Sequence, residues 1–479
     1  MILFHVFFND HVGNDFNTLF KSFPVEKKYY AAGVPGSFHG RLFPKSSLHF
    51  IHSSYALQWL SRVPREILDK DSSAFNKGKI YITNAPKEVA QAYSAQFAQD
   101  LAWFLNFRAL ELVPGGLMAL LIPCRPLNCK NKLAAALDML EDILLGMACK
   151  FKGINLAKQI LKKAILDHFD IGTLHLDSSH ALNIADLGCS IGPNTFFVVE
   201  NIIEFIYLKF QSSGYDFDKF EFNVFFNDHV SNDFNTLFKS FPVEKKYYAA
   251  GVPGSFHGRL FPKSSLHFVH SSYALQWLSR VPKEILDKDS RAFNKGKIYF
   301  TTAPKEVALA YSAQFAEDMA CFLNSRAVEL VPGGLVALLI PCMPLNSKNT
   351  TAASIDVLGD ILMDLASKGK ISDELVNSFN MPLYFPTTEE VKLLIETNGN
   401  FSIEIMEPIV WPQAVININA NFLHMRAGWE RLVRQHFGGD IVDEVFEQFQ
   451  NKMEESSIWK DSSYDHLKEL FVVVKMKFV

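Results

Sequence analysis

The sequence predicts an α/β fold: a mostly parallel sheet flanked by helices, covered by a helical cap, and preceded by a partial copy of the same fold. Three observations support this prediction. Short apolar strands alternate with amphipathic helices in residues 151–479, the pattern of a parallel sheet with helical crossovers. Helical stretches lie between the last strands, and residues 1–150 repeat part of the sequence that follows.

Apolar spacing gives the individual elements of residues 151–479. The predicted strands are Ala181–Leu187, Phe220–Phe226, Ser265–His270, Leu335–Ile340, Phe401–Ile405 and Leu470–Met476. The predicted helices are Lys158–Phe169, Thr195–Phe210 and Tyr311–Leu330. Two further helical stretches, from about 350 to 398 and from 417 to 455, are expected to cap the carboxyl ends of the strands, where such sheets bind ligands.

The repeat divides the chain into two unequal units at an offset of 218 positions, by which residue 9 corresponds to residue 227. The matching segments are Asn9–His11 with Asn227–His229, Gly33–Gly40 with Gly251–Gly258, and Ser53–Trp59 with Ser271–Trp277. The likeness persists to about Lys150, so we expect residues 1–150 to be a truncated duplicate and residues 151–479 a near-complete unit. This copy is expected either to be a poorly ordered appendage or to dock on the complete unit by adding strands.

The composition is that of a folded protein, with 48% hydrophobic and 20% charged residues. A net charge of −4 excludes a basic footprint for nucleic acid or an acidic membrane surface. The apolar opening, Met1–Phe8, is too short to cross a membrane and lacks the features of a signal peptide, so it predicts a strand.

The cysteines form neither a CxxC pair nor a zinc-like spacing with histidines, which indicates reduced thiols in a cytoplasmic protein. They are Cys124, Cys129, Cys149, Cys189, Cys321 and Cys342.

The segment Asp186–Gly192 follows a predicted strand and opens a helix. Its glycines let a backbone approach a ligand closely, and the free N–H groups of the helix N-terminus favour an anionic group. The segment has neither the GxGxxG of dinucleotide binders nor the Gly-Lys-Ser/Thr of a P-loop. A tight turn without any ligand is the alternative interpretation.

Asp228 ends the next strand, the position from which a carboxylate in this fold class reaches a nucleoside ribose. A purely turn-forming aspartate is the alternative. The loop that follows offers the Ser255 hydroxyl and the Phe256 ring, which suit an adenine, or it is a plain loop with a core phenylalanine.

Two aromatic residues and an amide, Tyr273, Gln276 and Trp277, lie just past another predicted strand and would stand at the mouth of a pocket. Packing on a helix face is the alternative for Trp277.

Taken together, these segments resemble the SABATH family of S-adenosylmethionine (SAM)-dependent methyltransferases, which methylate small plant carboxylic acids or xanthine nitrogens. The resemblance extends over nearly all of residues 151–479 and implies a class I methyltransferase with a Rossmann-like sheet. It is carried by Ala185–Asn194, Phe226–His229 with Asn232–Phe238, Gly251–Phe256 and Ser271–Trp277. The segments Phe385–Thr387 and Arg426–Trp429 are most similar to the benzoate/salicylate and farnesoate subgroup.

The resemblance also implies the roles of individual residues. Asp186, Cys189 and Asn194 would line the methionine end of SAM, Asp228 would hold the ribose, His229 would lie beside the adenine, and Ser255 and Phe256 would hold the adenine. Tyr273, Gln276 and Trp277 would face the acceptor as the catalytic and substrate-binding residues, with Ile355 and Met425 as more distant wall residues.

Some family members bind Mg²⁺, and the corresponding positions here are Asn294, Asn377, Phe379 and Asn380, with Asn377 standing where the family has Asp. A second departure concerns the family's N-terminal Ser-Tyr-x-x-Asn-Ser segment and the Gln after it, which close over the cofactor. Asp142–Lys150 of the partial copy occupies its expected place before Phe151.

The expected reaction is in-line transfer of the sulfonium methyl group to a small-molecule carboxylic acid, giving a methyl ester and S-adenosylhomocysteine. A carboxylate is ionised at neutral pH, since its reference pKa lies near 4, so no general base is needed. A catalytically defective protein that still binds SAM is the main alternative, and a nucleotide-dependent oxidoreductase is a third. The expected partners include no nucleic acid and no membrane, and a homodimer is left open.

Overall fold

The computed structural model describes residues 4–24, 26–75, 87–122, 154–170, 172, 174, 181–214, 220–242, 244–344, 347–409, 418–456, 458, 461 and 463–478. Its strands are β1 Phe4–Asp10, β2 Tyr29–Pro35, β3 Leu48–Ser54, β4 Leu112–Leu121, β5 Ala181–Leu187, β6 Glu221–Asp228, β7 Tyr248–Pro253, β8 Leu266–Ser272, β9 Leu330–Cys342, β10 Phe401–Ile409 and β11 Lys468–Met476. Its α-helices are α1 Phe16–Lys21, α2 Lys87–Glu111, α3 Ile154–His168, α4 Pro193–Ser212, α5 Phe234–Lys239, α6 Lys305–Glu329, α7 Thr350–Ser367, α8 Asp373–Ser378, α9 Thr388–Asn398, α10 Ile418–Phe437 and α11 Val442–Glu455.

The main sheet has nine strands in the order β1-β2-β7-β6-β5-β8-β9-β11-β10. The five strands β7, β6, β5, β8 and β9 are parallel to one another, and β11 is antiparallel to both β9 and β10. The predicted α/β fold with a mostly parallel sheet is therefore confirmed, and β5 lies at its centre.

The central strand β5 shows how the sequence forms this layered fold. Leu182 and Ile184 belong to a hydrophobic cluster on one face of the sheet, and Ala185 and Leu187 belong to a second cluster on the other face. Both faces of a parallel strand are covered by helices, so such a strand is apolar throughout. The helix after it starts with Pro193 in its first turn, where the missing N–H costs no hydrogen bond.

The predicted elements differ from the structure by a few residues at most ends, and three differences are larger. The helix predicted from Tyr311 begins at Lys305. Strand β9 begins at Leu330, because the turn-like Pro332–Gly334 lies inside the strand at a register shift opposite β8. Strand β7 was not predicted at all, since a glycine and a proline within Tyr248–Pro253 suggested a loop.

The helices between the last strands do not form one uniform layer. Helices α7, α8, α10 and α11 pack on one another, whereas α9 packs on α6 and β10. In the parts of the chain that the structure describes, every helix is too short or too polar to span a membrane. Cys189 and Cys342 are buried free thiols, and Cys321 is an exposed one. Cys124, Cys129 and Cys149 lie outside the described residues.

The described part of the N-terminal copy docks on the complete unit by adding strands. Strands β1 and β2 pair in parallel and extend the main sheet, with β2 antiparallel to β7 through the pair Gly33 and Gly251. Strands β3 and β4 form a separate two-stranded parallel sheet. The docking alternative is thus the one that the structure shows.

Candidate active site at the carboxyl ends of β5, β6 and β8

The turn between β5 and α4 is tightly constrained. Gly188 has a φ of +80°, and a Cβ at this position would lie 2.4 Å from the Cβ of Ala274. The backbone amides of Gly188 and Cys189 both donate to the carbonyl oxygen of Asn227 at 2.9 Å. The turn is thereby fixed against the end of β6, and Asn194 is exposed in the first turn of α4.

Asp186 at the end of β5 is buried and holds three elements together. One carboxylate oxygen accepts a short hydrogen bond from the Thr195 hydroxyl of α4. The other lies 2.7 Å from Nδ1 of His270 on β8. Because both of its oxygens have protein partners, Asp186 orients the turn whose backbone would meet a ligand. The structure thereby gives His270, which the sequence places at the end of a predicted strand, a buried carboxylate partner.

Asp228 at the end of β6 is half-buried and reaches back to the same turn. Its carboxylate accepts from the amide of Ser190 at 2.7 Å and from the amide of His229 at 2.6 Å. Desolvation raises the pKa of Asp228 even though both hydrogen bonds lower it. Burial, together with the charges of Asp228 and Asp186, raises the pKa of the Cys189 thiol well above its ordinary value, so this thiol is no nucleophile.

The loop after β7 is anchored by buried polar groups that lie far away in the sequence. The Asn227 amide donates to the carbonyl oxygens of Val252 and Gly254 at 2.7 and 2.9 Å. The fully buried Arg326 donates to the carbonyl oxygens of Phe256 and Gly258 at 2.8 and 2.9 Å, and pairs with Glu329 at 2.7 Å. Glu329 in turn accepts from two further amides, those of Leu260 and Phe261.

This anchoring brings Phe256 to the β5–α4 turn. A Cβ on Gly188 would lie 3.6 Å from the Phe256 ring, while Ser255 is exposed at the tip of the loop. Sequence reasoning missed Asn227, Arg326 and Glu329. One usable signal existed: the copy repeats the last two as Arg108 and Glu111, with the same buried ion pair.

The segment after β8 carries the predicted acceptor residues. Tyr273 has a φ of +52°, and its hydroxyl donates to the carboxylate of Glu469 on β11. Burial, and then the charge of Glu469, raises the pKa of Tyr273. The Gln276 amide nitrogen donates to the Tyr273 carbonyl oxygen at 2.6 Å, and its buried Oε1 has no hydrogen-bond partner in the described structure.

Trp277 lies between the loop after β7 and the helical cap. Its carbonyl oxygen is 3.2 Å from Nε2 of His257, and its indole ring lies 3.9 Å from the position of a Cβ on Gly428 in α10. Ile355 of α7 and Met425 of α10 are buried in the hydrophobic cluster on which Trp277 packs. Helices α7 and α10 therefore lie beside Trp277, on the side of the site where the sequence predicts the acceptor residues.

The four metal candidates lie near one another, but they suit Mg²⁺ poorly. Asn294 donates to Asn380 Oδ1 at 2.7 Å, and Asn377 Oδ1 accepts from the amide of Gly296 at 2.8 Å. The ring of Phe379 packs on His436 and Phe437. Mg²⁺ sites usually include at least one carboxylate, and none of the four candidates supplies one. Among the described residues, no group of three or more His, Cys, Asp or Glu side chains is arranged to hold a metal.

The comparisons with known proteins point to one family. A family model described as SAM dependent carboxyl methyltransferase matches residues 148–477 and, separately, residues 1–151. The loganic acid O-methyltransferase of Catharanthus roseus is 42% identical over 338 residues, which cover 69% of this chain and 90% of that protein. The farnesoic acid carboxyl-O-methyltransferase of Arabidopsis thaliana is 39% identical over 304 residues, covering 62% and 86%. A solved structure of a loganic acid methyltransferase with SAH has a TM-score of 0.64 and 40% identity, covering 68% of this chain and 93% of that one.

Proposed function

Because the chain belongs to the SAM-dependent carboxyl methyltransferase family, we propose that it esterifies the carboxylate of a small metabolite at the site formed by residues 151–479. The SABATH resemblance of the motifs is confirmed by this match, and the protein is a SAM-dependent methyltransferase that acts on small metabolites. The proposed products are a methyl ester and S-adenosylhomocysteine.

The observation that carries the proposal is the convergence of three segments on Gly188. Because Gly188 has no Cβ, its backbone lies close both to Ala274, the chain neighbour of Tyr273, and to the ring of Phe256. Asp228 is tied to the same turn through the amide of Ser190. Consequently the backbone turn, a carboxylate, an aromatic ring and the acceptor segment lie around one space, which is the set of groups that an amino-acid-bearing nucleoside requires.

In this proposal, SAM when bound supplies the methyl group: an acceptor carboxylate oxygen attacks the methyl carbon in line and displaces the thioether sulfur of S-adenosylhomocysteine, so that an O–C bond forms as the C–S bond breaks and its electron pair stays on sulfur. No proton moves in this step. The protein's contribution is alignment: the β5–α4 turn holds the methionine end, Asp228 the ribose, and Ser255, Phe256 and His229 the adenine.

The state of the nearby titratable groups supports an acceptor that is already ionised. His270 is buried with its Nδ1 paired to Asp186, and Nε2 of His257 lies against the Trp277 carbonyl oxygen, so both imidazoles are held in structural contacts. Tyr273 has a raised pKa and is bonded to Glu469. A carboxylate needs no base at neutral pH, and the indole N–H of Trp277 is our candidate donor to it.

The acceptor is expected to carry a hydrogen-bond donor besides its carboxylate. Gln276 Oε1 is buried and has no partner among the residues that the structure describes, and leaving such an acceptor unsatisfied costs about 1–3 kcal/mol. A hydroxyl on the acceptor would satisfy it. Loganic acid, the named substrate of one relative, and salicylate carry such a hydroxyl, whereas farnesoic acid, the named substrate of another, and benzoate do not, so these four acids together test the expectation.

The test uses the full chain. SAM binding is measured by isothermal titration, and methyl transfer to the acid panel is measured from methyl-labelled SAM with identification of the ester. We expect SAM binding, ester formation with at least one acid, and weaker SAM binding in Asp228→Asn. Binding without transfer to any acid would favour the catalytically defective alternative, which the altered segment before Phe151 motivates. Unchanged affinity of Asp228→Asn would refute the ribose assignment.

A further inference from the structure

The contact between the N-terminal copy and the complete unit joins equivalent surfaces. The residue pair that links β2 to β7 is Gly33 with Gly251, and these two glycines correspond to each other at the offset of 218. A residue facing its own counterpart marks the position of a twofold axis, because only there does a rotation by half a turn bring a position onto its equivalent.

The aromatic contacts obey the same relation. Phe16 and Phe20 of α1 correspond to Phe234 and Phe238 of α5. The ring centroids of Phe16 and Phe238 are 4.7 Å apart with an interplanar angle of 87°, and those of Phe20 and Phe234 are 4.8 Å apart at 88°. All four rings are buried, so α1 and α5 pack on each other through equivalent surfaces.

The polar contacts between α1 and α5 are reciprocal as well. Asn17 Oδ1 accepts from the amide of Phe234 at 2.8 Å, and Asn235 Oδ1 accepts from the amide of Phe16 at 2.8 Å. The Asn17 amide donates to Asp233 at 2.8 Å, and the Asn235 amide donates to Asp15 at 2.8 Å.

Beside the helices, a pair of cation–π contacts continues the symmetry. The guanidinium of Arg41 lies 5.3 Å from the ring of Tyr248, and that of its counterpart Arg259 lies 5.3 Å from the ring of Tyr30. Some contacts are not reciprocal, among them the ion pair of Arg41 with Glu221 at 2.8 Å, because the position equivalent to Glu221 in the copy is Leu3. The contact would therefore gain a second ion pair if two complete units met.

From this reciprocity we infer that the β7 edge and α5 of the complete unit form a homotypic docking surface that fits a second copy of the same unit, and that the N-terminal copy occupies this surface within the chain. Reciprocal contacts of residue i with j and of j with i are the property of a self-complementary, twofold interface. A tethered partner competes at an effective concentration of roughly millimolar. We therefore expect the chain to be monomeric, and the homodimer that the sequence left open is the question that the following test addresses.

The test measures the oligomeric state of the full chain and of matched variants by light scattering over a concentration series. The unmodified chain should remain at 54.2 kDa. The variant Asn17→Asp/Phe20→Asp places one new carboxylate opposite Asp233 and another among the aromatic rings. The copy should therefore dissociate from the β7 edge and α5 of the complete unit, and two chains should pair through these exposed surfaces. The control carries these two substitutions together with Asn235→Asp/Phe238→Asp. It also disrupts the contact within the chain, but it alters α5 as well, so two complete units cannot pair through it.

We expect the first variant to approach twice the monomer mass as its concentration rises, and the control to stay monomeric. If either protein fails to fold by circular dichroism, the isosteric pair Asn17→Asp and Asn17→Asp/Asn235→Asp replaces them, because both positions are only half-buried. Dimers of the unmodified chain, a copy-side variant that stays monomeric, or a control that dimerises equally would each overturn the inference.

Discussion

Replacing Gly188 by alanine tests the geometry of the β5–α4 turn most directly. At a φ of +80° a residue with a Cβ adopts the left-handed region at a cost of about 1–2 kcal/mol. The new methyl group would also lie 2.4 Å from the Ala274 Cβ, which belongs to a short side chain that cannot move aside. Such overpacking typically costs about 1–3 kcal/mol. We therefore expect the free energy of unfolding to fall by about 2–5 kcal/mol.

A matched control lies four residues further along the chain. Gly192 has a φ of −85°, and a Cβ there meets nothing within 4 Å. Since alanine is a poorer N-cap than glycine, Gly192→Ala should cost about 1 kcal/mol, still less than the change at Gly188. Urea denaturation of both variants measures the difference. SAM titration should show weaker binding for Gly188→Ala, because its turn has to move.

A second substitution separates strain from overpacking. Ala274→Gly removes the methyl group that the new Cβ would meet, but leaves the left-handed φ of residue 188 unchanged. In a double-mutant cycle, Ala274→Gly should therefore recover about 1–3 kcal/mol in the Gly188→Ala background, beyond its own effect in the unmodified protein. Equal losses for Gly188→Ala and Gly192→Ala, or a coupling near zero, would refute the close contact between the turn and the acceptor segment.

Four further outcomes are expected. The raised pKa of Asp228 means that its carboxylate is protonated at a higher pH than that of an ordinary aspartate, so SAM affinity should fall as the pH is lowered towards that range. The weak binding of Asp228→Asn should show no such dependence. A pH-independent affinity in the unmodified chain would count against the role of Asp228. Trp277→Phe should lower kcat/KM for the acceptor by about 10- to 100-fold, the worth of one hydrogen bond to a charged group, with unchanged SAM affinity in the same titration. Grafting a Ser-Tyr-x-x-Asn-Ser…Gln segment before Phe151 should raise the turnover rate, and a rate of roughly 1 s⁻¹ or more without the graft would contradict this. A SAM titration of the full chain should give one site per chain, and two equivalent sites would show that the copy binds as well.

The sequence predicted those parts of the fold and site that depend on local pattern. The apolar run of β5, the proline at the start of α4 and the position of Asp228 at the end of β6 could all be identified from a few neighbouring residues. Strand β7 could not, because Gly251 resembles a loop glycine in sequence. The structure shows a packing reason for it: a Cβ there would lie 2.5 Å from the ring of Phe238.

What the sequence did not predict depends on contacts between distant segments. Arg326 reaches backbone carbonyl oxygens 68 and 70 positions away, and no local spacing indicates such partners. The pairing of Asp186 with His270 spans 84 positions in the same way. The repeat offset was visible in the sequence, but it does not show which surfaces of the two units meet. That required the reciprocal contacts of α1 and α5.

The two units provide an internal comparison of what a motif forms with and without its surroundings. Tyr55 and Tyr273 both have a φ of +52°, and Gln58 bonds to the Tyr55 carbonyl oxygen at 2.7 Å as Gln276 does to that of Tyr273 at 2.6 Å. The short sequence therefore determines the local geometry in both units.

The surroundings of that geometry differ. Phe50 is 60% exposed and Trp59 is 61% exposed in the copy, whereas Phe268, the counterpart of Phe50, is fully buried beside β5. Asp10 bonds to the side chain of Asn14, whereas its counterpart Asp228 receives the amide of the β5–α4 turn. Residues 1–150 contain no counterpart of Asp186–Asn194. The candidate site thus depends on the central strand and its turn rather than on the motifs alone, and this is the physical reason to expect a single active site in a chain that carries most of these motifs twice.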